Sequence, residues 1–181
     1  MDILPTLLDI LLVAFLIFMN GFFVAAEFCC VKIRTSRLET LIAEGSSRAG
    51  YAKQLTEHLD YSLSVTQFGI TLASLGLGWV GEPAIATLIL PVTQMLGLPD
   101  EVGHTIALAI AFTIITSLHI VLGELTPKSM AIANVEDIML AIAFPMVLFG
   151  RVMRPFVWIL NTVANTISRK FGYDVKGENE D

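Results

Sequence analysis

The chain has 181 residues, of which 55% are hydrophobic and 15% are charged, with a formal net charge of −6. Soluble domains carry about 45–50% apolar and about 25% charged residues, so this composition, with a mean hydropathy of +0.73, excludes an ordinary soluble protein. It predicts a membrane protein, and the acidic net charge is not the signature of a nucleic-acid-binding protein.

Three apolar segments are long enough to cross a bilayer, since a transmembrane helix needs about 20 apolar residues. They cover residues 5–31, 62–80 and 104–124. The stretch 85–98 is shorter and contains a proline, so we expect a separate interfacial or re-entrant helix there. The apolar segments 135–149 and 156–171 are interrupted by prolines and arginines, and we expect two juxtamembrane helices.

The lysines and arginines predict the orientation. All eleven lie either between the first and second spans or after the third, and basic residues stay on the cytoplasmic side. We therefore expect a multi-pass protein of the cell inner (plasma) membrane, with the N-terminus outside and the C-terminus in the cytoplasm. No basic residue precedes the first span, which favours a retained helix over a cleaved signal. The predicted fold is an all-α membrane protein with three transmembrane helices, cytoplasm-side juxtamembrane helices and a short outer interfacial helix.

Polar residues recur on single faces of the first two spans. Asn20 and Glu27 share a face of the first span. In the second span, polar and small residues recur at steps of three and four: Ser64, Gln67, Thr71, Ser74 and Gly78. This stripe is compatible with a helix–helix contact, since small and hydroxylated residues let membrane helices approach. It is equally compatible with the lining of a cation path.

The end of the third span carries the strongest functional signal. Glu124 is an acid beside a long apolar run, and such residues are functional candidates. Pro127 has no N–H to donate to the carbonyl of Gly123, which leaves two hard oxygen donors side by side as half of a cation site. Ser117 shares the face of Glu124, whereas His119 lies off it by about 160–200° at about 100° per residue, so we expect only a packing hydrogen bond from His119.

Other patterns carry less chemistry. The sequence contains no phosphate-binding glycine loop, metalloprotease helix motif or Ser/His/Asp arrangement, so an enzyme is not expected. Cys29 and Cys30 are adjacent and predicted to be small apolar fillers. Residues 172–181 are polar without periodicity and are interpreted as a linker.

Three motifs in order resemble the DUF21 transmembrane domain of the CNNM/CorC family. They are the segments 20–27 (NGFFVAAE), 67–74 (QFGITLAS) and 123–129 (GELTPKS). The resemblance covers nearly the whole chain and assigns residues 1–171 to that domain. It implies a transporter or efflux protein for magnesium and cobalt, coupled to sodium and assembled as a homodimer in the lipid bilayer. It also implies that residues 172–181 lead toward CBS domains, which bind ATP, and a CorC-type domain, both absent from this chain.

The resemblance also implies an ion site. The family site uses a serine in the first span, an asparagine in the second and a glycine–glutamate pair in the third. Gly123 and Glu124 match, and Pro127 is retained. The remaining side chains differ, because Val24 and Ala26 stand where many relatives have serines. Ile70 and Ser74 stand where relatives often have asparagines.

In the predicted metal site, Glu124 therefore supplies the negative charge, and polar groups of the three spans supply neutral dipoles to the ion. The complete set of predicted metal ligands is Glu124, Gly123, Asn20, Gln67, Thr71 and Ser74, supported by Pro127, Lys128, Ser117 and Glu27. Magnesium, the expected transported ion, prefers six oxygen ligands. The missing serines favour, as an alternative, an exporter of polyamines or other organic cations. A second alternative is a non-transporting membrane scaffold or sensor, in which Glu124 pairs with Lys128 four residues later.

Overall fold

The computed structural model describes residues 3–172, which form seven α-helices and one π-helical segment without any β-strand. The helices are α1 (Ile3–Lys32), α2 (Thr35–Ala43), α3 (Ser47–Glu57), α4 (Leu59–Met95), α5 (Asp100–Leu118), α6 (Thr126–Ala133) and α7 (Val135–Lys170), and the π-helical segment is His119–Leu125. Apart from Gly172, the predicted linker lies outside the described residues.

Within residues 3–172, three helical stretches are long and apolar enough to span a membrane: Leu4–Lys32, Leu59–Met95 and Asp100–Ala133. The prediction of an all-α membrane protein with three spans is thus confirmed. The third span is α5, the π-helical segment and α6 in one continuous rod.

The first span packs antiparallel to α4. The ring of Phe23 lies 2.6 Å from the point that a Cβ on Gly69 would occupy, and the side chain of Leu16 lies 3.2 Å from the corresponding point of Gly76. The contacts run in opposite directions along the two helices. Glycines at both contacts let the helices approach closely, as small residues do in membrane bundles.

The first span packs parallel to the third. Asn20 contacts Gly123, and Lys32 Nζ donates a hydrogen bond of 3.1 Å to the carbonyl of Ile132. A Cβ on Gly21 would lie 2.8 Å from Cγ of Pro127. The residue numbers rise together along both rods, so α1 runs in the same direction as α5 and α6.

The second span is longer than predicted. The sequence predicted that the second span ends at residue 80 and that a separate helix covers 85–98, but α4 continues through Pro83 and Pro91 to Met95. Its 37 residues extend about 55 Å at about 1.5 Å per residue, which exceeds the hydrocarbon thickness of about 30 Å. The separate outer helix is therefore the end of α4.

Packing between α4 and α5 explains this continuity. A Cβ on Gly81 would lie 3.1 Å from the side chain of Ile115, and a Cβ on Gly103 would lie 3.0 Å from Oγ1 of Thr93. Both residues of α4 are buried. The two helices thus form a tight antiparallel hairpin on both sides of Pro83, and prolines are tolerated in membrane helices when neighbouring groups support the backbone.

The two predicted juxtamembrane helices, 135–149 and 156–171, are likewise one helix. α7 runs through Pro145 and Pro155 without a break. Tyr61 of α4 donates a hydrogen bond of 2.7 Å to the carbonyl of Gly150, at the start of the predicted interruption. This contact and a buried stripe of α7 hold the helix against α3 and α4. The opposite face exposes large apolar side chains at three- and four-residue spacing: Phe144, Leu148, Val152, Phe156, Ile159, Val163 and Ile167.

An ion pair connects α2 to the start of α7. Arg37 donates from Nε and Nη2 to the two carboxylate oxygens of Glu136 at 2.8 and 2.9 Å. The hydrogen bond from Arg37 lowers the pKa of the Glu136 carboxyl below its ordinary value, and the same bond raises the pKa of Arg37. This bidentate geometry is the strong form of an arginine–carboxylate pair.

Candidate ion-binding site

Asn20 is the centre of the polar cluster inside the bundle. Its side chain is fully buried. Nδ2 donates a hydrogen bond of 3.0 Å to the carbonyl of Gly123, and Oδ1 accepts one of 3.2 Å from Oγ of Ser74. A buried amide needs such partners, and here they come from the other two spans. One side chain therefore connects all three membrane helices.

The cluster lies near the middle of the membrane-spanning region. Asn20 is twelve residues before Lys32, the basic end of α1, which is about 18 Å at about 1.5 Å per residue. The hydrocarbon core is about 30 Å thick. Polar groups at this depth must be satisfied by protein or by water in a cavity.

Pro127 explains why the carbonyl of Gly123 is available. The proline has no N–H to close the α-helical turn on that carbonyl. The backbone N–H of Thr126 instead bonds to the carbonyl of Val121, five residues earlier. The chain adopts a π-helical turn here, a rare element that is frequent at functional sites. The freed carbonyl accepts its hydrogen bond from Asn20, as the sequence motif indicated.

The π-helical turn also brings His119 into the cluster. Its bonds join residues five apart, so His119 and Glu124 come to adjacent positions one turn apart. His119 Nε2 lies 3.7 Å from Oε1 of Glu124 and 3.3 Å from Oγ of Ser74. The predicted hydrogen bond of His119 is present, but the predicted position on the far side of the helix is wrong. That estimate assumed a regular α-helix.

Gly123 has no room for a side chain. The residue is buried, and a Cβ would lie 3.0 Å from Nδ2 of Asn20 and 3.0 Å from Cδ2 of His119. The absence of a side chain lets the amide of Asn20 reach the backbone. The Gly-Glu order in the motif therefore has a steric reason.

The carboxylate of Glu124 lies at the boundary of the bundle. Its side chain is 48% exposed, while that of His119 is 20% exposed. Lys128 does not lie against this carboxylate: its Nζ is 4.7 Å from the ring centroid of Phe28, in a cation–π contact. Glu124 is thus not paired with Lys128, and about half of its side chain is accessible to an ion or another polypeptide.

The structure divides the predicted site residues into two groups. Asn20, Ser74, Gly123 and Glu124 come together, and Pro127 packs against Gly21 beside them. The others lie elsewhere: Gln67 and Thr71 are exposed, Ser117 is exposed, and Glu27 is half-buried two turns along α1. Thr71 donates its hydroxyl to the carbonyl of Gln67, and Ser117 donates to Thr113, each within its own helix.

The cluster can bind a cation. Glu124 supplies a charge, and neutral oxygens of Gly123, Ser74 and Asn20 lie around it. Such oxygens suit a hard divalent ion, and the imidazole of His119 adds a nitrogen donor. Sequence reasoning missed His119, and the signal that could have found it was Pro127 eight residues later, since a proline at that distance disturbs the helix between them.

Fold and site together define a three-span helical membrane protein with a polar cluster at mid-depth. The family model described as Cyclin M transmembrane N-terminal domain (CNNM) matches residues 11–181. The chain therefore belongs to the CNNM family, as the three motifs indicated.

Curated relatives resemble the chain over nearly its whole length. It is 45% identical over 172 residues to the UPF0053 protein YhdT of Bacillus subtilis. This alignment covers 95% of the present chain and 37% of YhdT. The chain is 43% identical over 174 residues to the UPF0053 protein YhdP of the same organism, covering 96% and 39%. The uncharacterized protein MT1889 of Mycobacterium tuberculosis is 37% identical over 178 residues, covering 98% and 50%. The chain thus spans half or less of these relatives' length.

Proposed function

We propose that this chain is the membrane domain of a divalent-cation transporter that exports magnesium in exchange for sodium. The observation that carries the proposal is the half-exposed carboxylate of Glu124 beside the buried Asn20–Gly123 link at mid-membrane depth. An acid at this depth is expensive unless it has a function or a partner. A transported cation supplies that partner.

Each residue of the cluster has a separate role. Glu124 attracts the ion, and the carbonyl of Gly123 keeps a second lone pair after accepting from Asn20. The hydroxyl of Ser74 supplies a further oxygen. Asn20 holds the three spans in register. Magnesium gives up its water reluctantly and usually keeps several water ligands, so an incomplete set of protein oxygens suits a partly hydrated ion that must also leave.

The same proposal includes orientation and assembly. The N-terminus lies outside and the C-terminus in the cytoplasm of a plasma-membrane protein, following the basic residues. Polar side chains of Gln67, Thr71, Ser117 and Glu124 are exposed along the spans, where contact with lipid is unfavourable. We propose that a second copy of the chain, in a homodimer, shields such exposed groups from lipid. ATP would act only through CBS domains beyond this chain.

A flux measurement tests the proposal. Purified protein is placed in liposomes that contain a magnesium-sensitive dye, and uptake is followed with and without a sodium gradient. We expect Glu124→Gln to reduce magnesium flux to the level of protein-free liposomes. Glu101→Gln, the same change at an exposed acid in the first turn of α5, should leave it unchanged. Wild-type magnesium flux at the background level would refute the proposal.

A polyamine exporter is the second candidate, and one observation favours it. Val24 and Ala26 of α1, which stand where many relatives have serines, are buried apolar residues, so the oxygen that α1 is shown to bring to the cluster is that of Asn20. An organic ammonium needs fewer ligands than magnesium does. Polyamine flux that is abolished by Glu124→Gln, without magnesium flux, would establish this alternative. Flux of neither cargo would favour the membrane scaffold or sensor.

A further inference from the structure

His119 has a position that the oxygen site does not explain. Its Nε2 lies between two other polar groups, 3.3 Å from Oγ of Ser74 and 3.7 Å from Oε1 of Glu124. Ser74 has one hydroxyl hydrogen, which it donates to Oδ1 of Asn20. The ring of His119 therefore contacts Oγ of Ser74, which is already bonded to Asn20. The same ring nitrogen, Nε2, also lies close to the carboxylate of Glu124.

The spacing suits a shared metal ion. Two donors on one ion at about 2.0–2.2 Å each can lie up to about 4.2 Å apart. The 3.7 Å between Nε2 of His119 and Oε1 of Glu124 is inside this limit. The 3.3 Å from Nε2 to Oγ of Ser74 is also inside it. One ion can therefore contact Nε2 of His119 together with Oε1 of Glu124, or Nε2 together with Oγ of Ser74, without a change of helix positions.

The ring can change from hydrogen-bond donor to ligand without a change of charge. Neutral histidine carries its proton on either ring nitrogen. With the proton on Nε2 the ring donates to Ser74, and with the proton on Nδ1 the lone pair of Nε2 faces Glu124. The imidazole can thus satisfy Ser74 in the absence of an ion and bind one when it enters.

We propose, on the basis of the transport function above, that His119 is a metal ligand that determines specificity. Its imidazole shifts the preference of the Glu124 site from magnesium toward borderline divalent ions such as cobalt, nickel and zinc. Imidazole suits these metals, whereas magnesium prefers oxygen. The side-chain oxygen that α1 brings to the cluster, Oδ1 of Asn20, already accepts the hydroxyl hydrogen of Ser74, so the nitrogen takes a larger share of the coordination.

The rest of the coordination comes from neutral oxygens and water. Among residues 3–172, no group of three His, Cys, Asp or Glu side chains that could hold a metal is present. A site with one histidine and one carboxylate binds less tightly than a closed three- or four-ligand site. That property suits cargo that has to be released.

The test is direct metal binding rather than transport. The whole chain in lipid nanodiscs is titrated with cobalt, zinc and magnesium by calorimetry, and the cobalt complex is also followed by visible absorption, which reports nitrogen ligation. The variants are His119→Gln, His119→Ala and Glu124→Gln. The matched control is His104→Gln, an exposed histidine of α5.

We expect the wild-type protein to bind cobalt and zinc more tightly than magnesium. His119→Gln should weaken cobalt and zinc binding by about tenfold or more while changing magnesium affinity by less than about threefold, and should alter the cobalt spectrum. Added free imidazole should restore the cobalt spectrum of His119→Ala. His104→Gln should match the wild type.

Two results overturn the inference, and they differ in what else they refute. If His119→Gln binds cobalt and zinc like the wild type while Glu124→Gln loses all three ions, His119 is a packing residue and the transport proposal stands. If the wild-type protein binds no divalent ion, the cation site itself fails, and both proposals are refuted together.

Discussion

Asn20 and Gly123 are 103 positions apart, yet the amide of one donates a 3.0 Å hydrogen bond to the backbone carbonyl of the other. This bond is possible because Pro127 gives that carbonyl no α-helical partner. It is also possible because residue 123 has no side chain between the two groups. The irregular backbone of the third span thereby provides the acceptor for a hydrogen bond from the first span.

Gly123→Ala should destabilise the bundle. The new Cβ would lie 3.0 Å from Asn20 Nδ2 and from His119 Cδ2, and overpacking of a close-packed site costs about 1–3 kcal/mol. Thermal unfolding in detergent, followed by circular dichroism, measures the loss. Gly78→Ala is the control, because a Cβ there meets no heavy atom within 4 Å. An equal midpoint for both variants would contradict the predicted steric constraint.

Asn20→Ala should lower the stability of the folded protein by more than the loss of one ordinary hydrogen bond would. It leaves the buried carbonyl of Gly123 without its donor, and an unsatisfied buried group costs about 1–3 kcal/mol. Combined with Ser74→Ala in a double-mutant cycle, it should show a coupling of about 0.5–1.7 kcal/mol, the range of polar pairs in membrane helices. Additive effects of the two substitutions would show that their hydrogen bond is energetically unimportant.

Pro127→Ala should separate His119 from Glu124. The new N–H can close an α-helical turn on the carbonyl of Gly123, which competes with Asn20 and removes the reason for the π-helical segment. We expect weaker cobalt binding than in the wild type, by about tenfold. Pro91→Ala, at an exposed proline of α4, should bind cobalt normally. Unchanged cobalt binding by Pro127→Ala would mean that the π-helical turn does not depend on this proline.

The Arg37–Glu136 pair should stabilise the protein in a pH-dependent way. Because the hydrogen bond from Arg37 lowers the pKa of Glu136 from its ordinary value of 4.5, the folded state binds fewer protons there than the unfolded state does. The stabilisation is therefore complete above pH 4.5 and is lost as the pH falls through the lowered pKa.

Melting temperatures of wild type and Glu136→Gln should accordingly differ at pH 7 and converge at low pH. The difference should also shrink in high salt, since both side chains are solvent-accessible. Asp137→Asn, at the neighbouring exposed acid, provides the control. A difference that stays constant from pH 7 to low pH would argue against the ion pair as its cause.

The sequence by itself determined the membrane class and the three spans, because a run of about 20 apolar residues has few other stable environments. It also identified Glu124, Gly123 and Pro127, since an acid beside a helix-breaking proline is unusual in any membrane helix. Those signals are local in the chain, so they needed no neighbours to be recognised.

The tertiary structure alone decided which groups meet. α4 continues through Pro83 because α5 packs along it on both sides, and Gln67 faces outward although it shares a polar stripe with Ser74. His119 entered the cluster because a π-helical turn replaced the regular rotation of an α-helix. Rotation of a helix about its axis and the position of one irregular turn depend on packing against other helices, and neither the composition nor the spacing of residues in one span contains that information.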